Sequence, residues 1–177
     1  PYELPDQPGR TFFRNAGSTL RRGLETALSF APARGLELWG NYTYSDFKFE
    51  AFQSGAQDLS GKALPGLPRS LGQLSARYTH RSGLLAQFSG RFTGRFYADN
   101  ANAVRISPAQ VYSMRIGRRG AIGKAGMEFF LGLDNLGKAR VFNNIRINAA
   151  AGRYFEAGAG RSLSLGLTIS SAYQPMP

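Results

Sequence analysis

Ser162-Leu163-Ser164-Leu165-Gly166-Leu167-Thr168-Ile169 alternates a small or polar residue with a large aliphatic one at every step. Successive side chains of a β-strand point to opposite faces, so the stretch predicts a strand with one aliphatic face and one polar face. In a helix the same four aliphatic residues would be spread around the axis. We therefore expect this strand to separate an apolar environment from water.

The same alternation recurs along the chain. In 36–44, Leu, Leu, Gly, Tyr and Tyr alternate with Glu, Trp, Asn and Thr, and 84–96 repeats the pattern with Phe88 and Phe92 opposite Arg91. Helical periodicity is nowhere sustained. We predict seven strands, at 18–30, 36–49, 70–79, 84–97, 110–118, 126–136 and 161–170. Residues 11–15 are expected to lengthen the first strand or to form an eighth.

The predicted connections alternate between short and long. Segments 31–35, 81–83 and 119–125 are short and carry the Pro, Gly or Ser of tight turns, whereas 50–69, 98–109 and 137–160 are long and polar. Short periplasmic turns and long extracellular loops are typical of outer-membrane barrels. The pattern predicts an all-β fold, an antiparallel up-and-down transmembrane β-barrel, of which about seven or eight strands are present.

Aromatic residues are concentrated near the predicted strand ends, where they would form girdles at the two membrane interfaces. Those next to the long connections are Tyr44, Phe47, Phe49, Phe96, Tyr97, Phe142, Tyr154 and Phe155, and those next to short turns are Phe30 and Tyr78.

The charge balance narrows the possible partners. Lys and Arg number 22 against 11 Asp and Glu, a formal net charge of +11, which calls for an anionic partner such as lipopolysaccharide phosphates, an anionic small ligand or nucleic acid. The absence of cysteine excludes disulfides and thiolate metal sites, and the single histidine, His80, has no partner ligand in the sequence. No catalytic arrangement is found, so we predict neither an enzyme nor a resident cofactor or metal.

A series of short motifs resembles the C-terminal barrel of the TonB-dependent outer-membrane receptors that import iron complexes. In order, the motifs are Phe13–Ser18 with Arg22–Glu25, Gly35–Leu38, Asn41–Asp46, Leu64–Pro68, Arg95–Asn102, Leu131–Leu136 and Gly160–Leu163. Two departures occur: Asn135–Lys138 replaces the family's Asn-Leu-Phe-Asp, and the chain continues past Ile169 to Pro177 where relatives end on an aromatic residue.

The resemblance implies the last third of a receptor whose barrel has about 22 strands around a plug domain. Residues 1–170 would belong to the barrel and 171–177 to a C-terminal tail. It further implies the outer membrane of a Gram-negative cell, contact with its lipid and lipopolysaccharide, and an anionic iron complex such as a ferric siderophore as the ligand. Partners would be the plug and the inner-membrane TonB system, both outside this chain.

Polar side chains on the predicted inner faces and loops are the candidate ligand-binding residues, because guanidinium groups match carboxylates and loops on a rigid scaffold commonly bind ligands. The inner faces carry Glu25, Asn41, Gln73, Arg77, Gln87, Arg91, Arg95 and Arg115. The predicted ligand-binding residues are Arg91, Arg95, Tyr97, Asn100, Asn102, Arg105, Asn143, Asn144, Arg146, Asn148 and Arg153. The alternatives are that inner-face charges pair with the plug or are simply hydrated, and that loop Asn residues serve turn geometry.

Two other functions fit parts of the pattern. A self-contained small barrel could act as a pore, adhesin or envelope scaffold, although small bacterial barrels begin at eight strands. A soluble basic β protein could bind nucleic acid, but stacking platforms need aromatic and Arg side chains on one face, and here they alternate. We therefore do not expect nucleic acid as a partner.

Overall fold

The computed structural model describes residues 17–123 and 125–171, which form thirteen strands and one 3-10 turn, Ala150–Gly152. The strands are β1 (Ser18–Ala33), β2 (Leu36–Ala51), β3 (Gln53–Ser54), β4 (Gln57–Asp58), β5 (Ser70–Thr79), β6 (Leu84–Thr93), β7 (Phe96–Tyr97), β8 (Arg105–Ile106), β9 (Ala109–Ile122), β10 (Ala125–Asp134), β11 (Phe142–Ile145), β12 (Phe155–Ala157) and β13 (Ser162–Ser170). Over these two ranges no helix has the length and apolar character needed to cross a membrane. The predicted approach strand at 11–15 and most of the tail lie outside the described residues.

Seven long strands form one antiparallel sheet in the order β1-β2-β5-β6-β9-β10-β13. Each pairs with its neighbour along the chain, so the up-and-down topology and all seven predicted strands are confirmed. Among the described residues β1 pairs only with β2 and β13 only with β10, which leaves the sheet open at both edges.

One end of the sheet, here called the turn end, has only tight connections. Arg34 and Gly35 alone join β1 to β2, and two residues join β9 to β10. Gly35, Gly83 and Gly123 have positive φ there, which suits a tight turn. At the turn end, β1, β9 and β10 therefore extend beyond the strand ends that the sequence predicted. β1 also continues through Pro32, where the register with β2 shifts, as a β-bulge in the strand allows.

The opposite end, here called the loop end, carries the three long connections. Each contains a short hairpin that the sequence did not reveal: β3 with β4, β7 with β8, and β11 with β12. The prediction that the fourth strand reaches residue 97 is wrong. β6 ends at Thr93, although the Gly94 N–H still donates to the Ser70 carbonyl at 2.7 Å, and Phe96 then opens the β7–β8 hairpin.

The register divides the sheet into an apolar face and a polar face. Leu38, Ala76, Phe88, Met114 and Leu133 lie side by side across neighbouring strands of the apolar face. The next row, on the polar face, is Trp39, Ser75, Ser89 and Ser113.

The apolar face has no protein covering it in the described chain. Phe88 is 38% exposed and Leu165 is 67% exposed. The hydrophobic residues that are buried lie at the loop end instead, and they are Phe49, Leu59, Leu64, Ala98 and Ile106. An exposed apolar surface of this size indicates contact with another apolar phase, as the alternating sequence predicted.

In β2 the predicted girdle is wrong for Phe47 and Phe49. Phe47 lies beside the Arg21 guanidinium, 6.0 Å from its ring centroid, and Phe49 is buried against Phe52. Both have odd positions in β2, where alternation places them on the polar face because Tyr44 is on the apolar one. Near the loop end the apolar face carries a cluster of Phe88, Phe92 and Tyr112, with ring centroids 5.9 Å apart.

Candidate functional site

Residues of β6 and of two long connections enclose a concave site at the loop end, on the polar face. We call it the loop-end pocket, and its volume is about 540 Å³. Arg91 enters from β6, Arg105 from β8, and Arg140 and Asn143 from the connection that follows β10. Arg91 is held by the antiparallel sheet, Arg105 and Asn143 belong to loop hairpins, and Arg140 lies just before β11.

Aromatic rings form another part of the wall. Phe96, Phe142 and Phe155 line the loop-end pocket. Phe142 and Phe155 stack with ring centroids 4.7 Å apart and each is 44% exposed. Stacked, half-exposed rings offer a flat apolar surface to an aromatic or aliphatic group.

The charges of the loop-end pocket are of one sign. Its lining holds three guanidinium groups and no carboxylate. The described residues form four ion pairs, and Arg91, Arg105 and Arg140 take part in none of them. Three uncompensated cations in a concave wall concentrate positive potential, which favours an anion.

A second cavity of about 680 Å³ adjoins the loop-end pocket along the polar face. The two share Arg91, Val111, Val141 and Asn143. From there the second cavity continues over the neutral polar side chains of neighbouring strands, which are Gln73, Ser75, Gln87, Ser89 and Ser113. The polar face therefore presents a continuous hydrophilic wall below the pocket.

The three long connections are joined by asparagine side chains. Asn102, at φ 60°, accepts from the Ala63 N–H at 2.8 Å through Oδ1 and donates to the Ala63 carbonyl at 2.9 Å through Nδ2. The Asn148 Oδ1 accepts from the Asn100 N–H at 2.9 Å, and the Asn148 N–H donates to the Ala98 carbonyl at 2.9 Å. These hydrogen bonds hold the loops in one arrangement above the sheet.

Two aspartates stabilise the turns of this loop cluster. The buried Asp99 carboxylate accepts from the N–H groups of Val104, at 2.8 Å, and Ala103, at 3.2 Å. Asp58 accepts from the Ser60 hydroxyl and from the Ser60 N–H, and these bonds hold the pKa of Asp58 below its usual value.

Of the predicted ligand-binding residues, the structure brings Arg91, Arg105 and Asn143 together in the loop-end pocket. Arg146 pairs with Glu156 at 2.9 Å across the β11–β12 hairpin. The others lie elsewhere at the loop end: Arg95 beside a smaller cavity, Tyr97 in β7, Asn100, Asn102 and Asn148 in the loop contacts above, Asn144 exposed in β11, and Arg153 exposed after the 3-10 turn. Whether these residues bind a ligand stays a prediction.

Sequence reasoning missed Arg140, because nothing in Gly137–Arg140 distinguishes an arginine that lines a pocket from a solvated one. It assigned Phe96, Phe142 and Phe155 to a membrane girdle, yet all three line the loop-end pocket. Elsewhere in the described chain, no group of three or more His, Asp or Glu side chains lies close enough to hold a metal ion.

Comparison with known proteins assigns this chain to a family. A family model described as TonB dependent receptor-like, beta-barrel, matches residues 2–136, which is more than half of the chain. The chain belongs to the TonB-dependent receptor family. This agrees with the resemblance seen in the sequence, and the seven-stranded sheet is a part of the family's barrel.

Individual relatives of this TonB-dependent receptor chain are transporters and receptors. It is 29% identical over 139 residues to the ferrichrome outer membrane transporter/phage receptor of Escherichia coli K12, covering 75% of this chain and 18% of the relative. It also resembles two solved structures from Acinetobacter baumannii. The siderophore receptor PiuA has a TM-score of 0.72 at 19% identity, and BauA, the ferric preacinetobactin receptor, has 0.69 at 17%.

The match to the solved structures covers 86% of this chain but 22% of PiuA, and 87% of this chain but 22% of BauA. The chain therefore spans less than a quarter of the proteins it matches. At these identities the structural likeness shows the fold, which is an antiparallel up-and-down barrel wall that is not closed within this chain.

Proposed function

We propose that this chain forms part of the barrel wall and of the ligand-capturing loops of an outer-membrane receptor that imports an anionic iron complex in a TonB-dependent manner. The observation that carries the proposal is the loop-end pocket, with three uncompensated guanidinium groups and no carboxylate in its lining. Family membership and the siderophore receptors among its structural neighbours support an iron complex as cargo.

The chemistry of the pocket suits a chelate with carboxylate or catecholate oxygens. Guanidinium groups bind such oxygens with paired N–H donors, and Arg91, Arg105 and Arg140 approach from three different elements. The stacked Phe142 and Phe155 would contact the aryl or aliphatic parts of the same ligand. A neutral chelate would gain little from the three charges.

The remaining partners follow from the two faces of the sheet. The apolar face would contact outer-membrane lipid and the hydrocarbon of lipopolysaccharide, and the polar face would contact the plug domain. The plug, and through it the TonB system of the inner membrane, would be supplied by segments outside these residues. We expect the protein in the outer membrane of a Gram-negative cell and expect no enzymatic activity.

The open seven-stranded sheet counts against a self-contained small barrel, since bacterial barrels close with an even number of strands from eight upward. Nucleic acid is disfavoured as well. Phe88 and Phe92 lie on the apolar face and Arg91 on the polar face, so β6 does not present stacking rings and cations on the same face.

Uptake of radioactive iron tests the proposal. The complete gene that encodes this chain would be expressed in a strain lacking its own iron receptors, which is then supplied with ferric citrate, an anionic ferric tris-catecholate or a neutral ferric trihydroxamate. We expect uptake from an anionic complex. Replacing Arg91, Arg105 and Arg140 together with Gln should lower that uptake by ~tenfold or more, since each charged contact contributes more than ~1 kcal/mol.

Lys62→Gln is the matched control, because Lys62 is an exposed cation of the loop end that lies outside the pocket lining and is not among the predicted ligand-binding residues. It should stay within about twofold of the parent protein. Uptake of the neutral complex alone, or of no complex, would contradict the proposal.

A further inference from the structure

A second cluster of arginines lies on the same polar face at the turn end of the sheet. It lines a concave site of about 800 Å³, here called the turn-end site. Its cations are Arg34 of the first turn, Arg77 of β5, Arg81 of the following turn and Arg119 of β9, and its carboxylate is Glu37 of β2.

The charges of the turn-end site are also unbalanced. Arg119 is paired with Glu128, to which it donates from Nε at 3.0 Å and from Nη2 at 2.6 Å. Arg34, Arg77 and Arg81 take part in none of the four ion pairs found among the described residues. Three free guanidinium groups therefore face the single carboxylate of Glu37.

The two cationic sites are separate but lie along one wall. Arg91 is paired in register with Gln73, and Arg77 follows four residues later on the same strand and face. At about 3.4 Å per residue this is roughly 13 Å along β5. Because the screening length is about 8 Å at physiological ionic strength, the two clusters attract anions independently.

Between the clusters the wall carries mostly hydroxyl and amide side chains, with one carboxylate, Asp134, in the lining of the adjoining cavity. The intervening row of the polar face is Trp39, Ser75, Ser89 and Ser113, and the adjoining cavity extends over it from the loop-end pocket. An anion released from Arg91 would meet these hydroxyl groups, with the single carboxylate of Asp134 at the side of the cavity, and then a second set of guanidinium groups.

We propose that the turn-end site is a second anion-binding site of the receptor wall, which takes up the carboxylate-bearing iron complex after it leaves the loop-end pocket. This inference rests on the proposed function for the identity of the solute, although binding at the site does not depend on uptake. Arg77 and Arg81 supply the principal contacts, and Glu37 limits how strongly the anion is held, so that it can be released.

Arginine footprinting tests this site. The product of the complete gene, purified in detergent, would be treated with phenylglyoxal with and without citrate, and modification of each arginine would be measured by mass spectrometry. Citrate should reduce the modification of Arg77 and Arg81 by several-fold. Arg118 is the control, because it neighbours Arg119 in sequence but lies on the apolar face.

The variant in which Gln replaces Arg91, Arg105 and Arg140 separates the two sites, and citrate should still protect Arg77 and Arg81 in it. Equal modification with and without citrate would overturn the second site. So would arginines that are unreactive under both conditions, since a carboxylate of the plug would then occupy them. Failure of the proposed function would give a different result: iron uptake would be absent, while citrate would still protect Arg77 from modification.

Discussion

Asn102 shows that the amino-acid composition of a loop does not determine the role of each of its residues. The run of Asn and Asp at 99–102 predicted either ligand contacts or turn geometry. The structure shows a structural role for Asn102, and a ligand contact by these residues stays a prediction. The Asn102 side chain satisfies both polar groups of Ala63, 39 residues earlier in the chain, and its positive φ is one that Asn tolerates better than most residues. The sequence cannot reveal this contact, because it depends on where two distant loops meet.

Removing the Asn102 amide should loosen the loop cluster. Asn102→Gly keeps the positive φ accessible but deletes both bonds to Ala63, at an expected cost of about 1–3 kcal/mol. Hydrogen exchange in the peptide around Ala63 should then become at least ~tenfold faster. Asn100→Ala is the control, since the contact at this position is made by the backbone N–H and not by the side chain. Unchanged hydrogen exchange in Asn102→Gly would show that the two Asn102–Ala63 hydrogen bonds do not hold the loops together.

Gly83 illustrates a residue whose place is dictated by backbone geometry. Its φ is +88°, and a Cβ there would come within 1.9 Å of the Arg119 carbonyl oxygen of the neighbouring strand. Gly83→Ala should therefore destabilise the barrel by more than the ~1–2 kcal/mol of the left-handed conformation alone.

The loss of stability would be measured as a lower temperature at which the folded band disappears in heat-modifiability gels. Gly120→Ala is matched to it, because Gly120 lies at the same end and a Cβ there meets nothing within 4 Å. Equal behaviour of the two variants would contradict the steric argument.

The seven strands of the sheet were predictable because each alternates over most of its length, and a period of two is typical of a strand with one buried or lipid-facing side. Their ends were less predictable. The sequence suggested that β6 reaches residue 97, but Thr93 is its last residue, and Phe96 already belongs to the β7–β8 hairpin. The loop hairpins have strands of two to four residues, too short for any alternation to be visible.

Adjacent residues of β9 give a sharp test of the two faces. Met114 lies on the apolar face beside Phe88, and Ser113 lies on the polar face beside Ser89. Met114→Arg should cost about 2–4 kcal/mol if the apolar face contacts hydrocarbon, whereas Ser113→Arg should be close to neutral. The folded, heat-modifiable fraction in isolated outer membranes measures both. A larger defect for Ser113→Arg would reverse the assignment of the faces.

The two ends of the sheet should lie on opposite sides of the membrane. An epitope inserted between Gly55 and Ala56, at the exposed tip of the β3–β4 hairpin, should be labelled by antibody on intact cells. One inserted after Gly123, where a side chain meets nothing within 4 Å, should be labelled only after the outer membrane is opened. The reverse pattern would show that the loop end faces the periplasm.

Across the chain as a whole, part of the excess positive charge is concentrated in two clusters and not spread evenly. A formal charge of +11 predicted an anionic partner but gave no position for it. The fold places three uncompensated arginines in the loop-end pocket and three more at the turn-end site, on one face of one sheet. The sequence alone singled out two of the three cations of the loop-end pocket, Arg91 and Arg105. At the turn-end site it singled out one of the three, Arg77, because nothing in the turn sequences marks Arg34 or Arg81 as lining a site.

The division into a lipid face and a water face underlies every proposal made for this chain, and spin labels on β13 measure it most directly. Single cysteines at successive positions from Leu163 to Ile169, in a chain that has none of its own, would carry the label in the membrane-embedded receptor. Oxygen, which is concentrated in lipid, should broaden the signals of labels at positions 163, 165 and 167. A water-soluble nickel complex should broaden the signals of labels at positions 164 and 168. Equal access of the nickel complex to both sets would contradict a membrane-spanning wall.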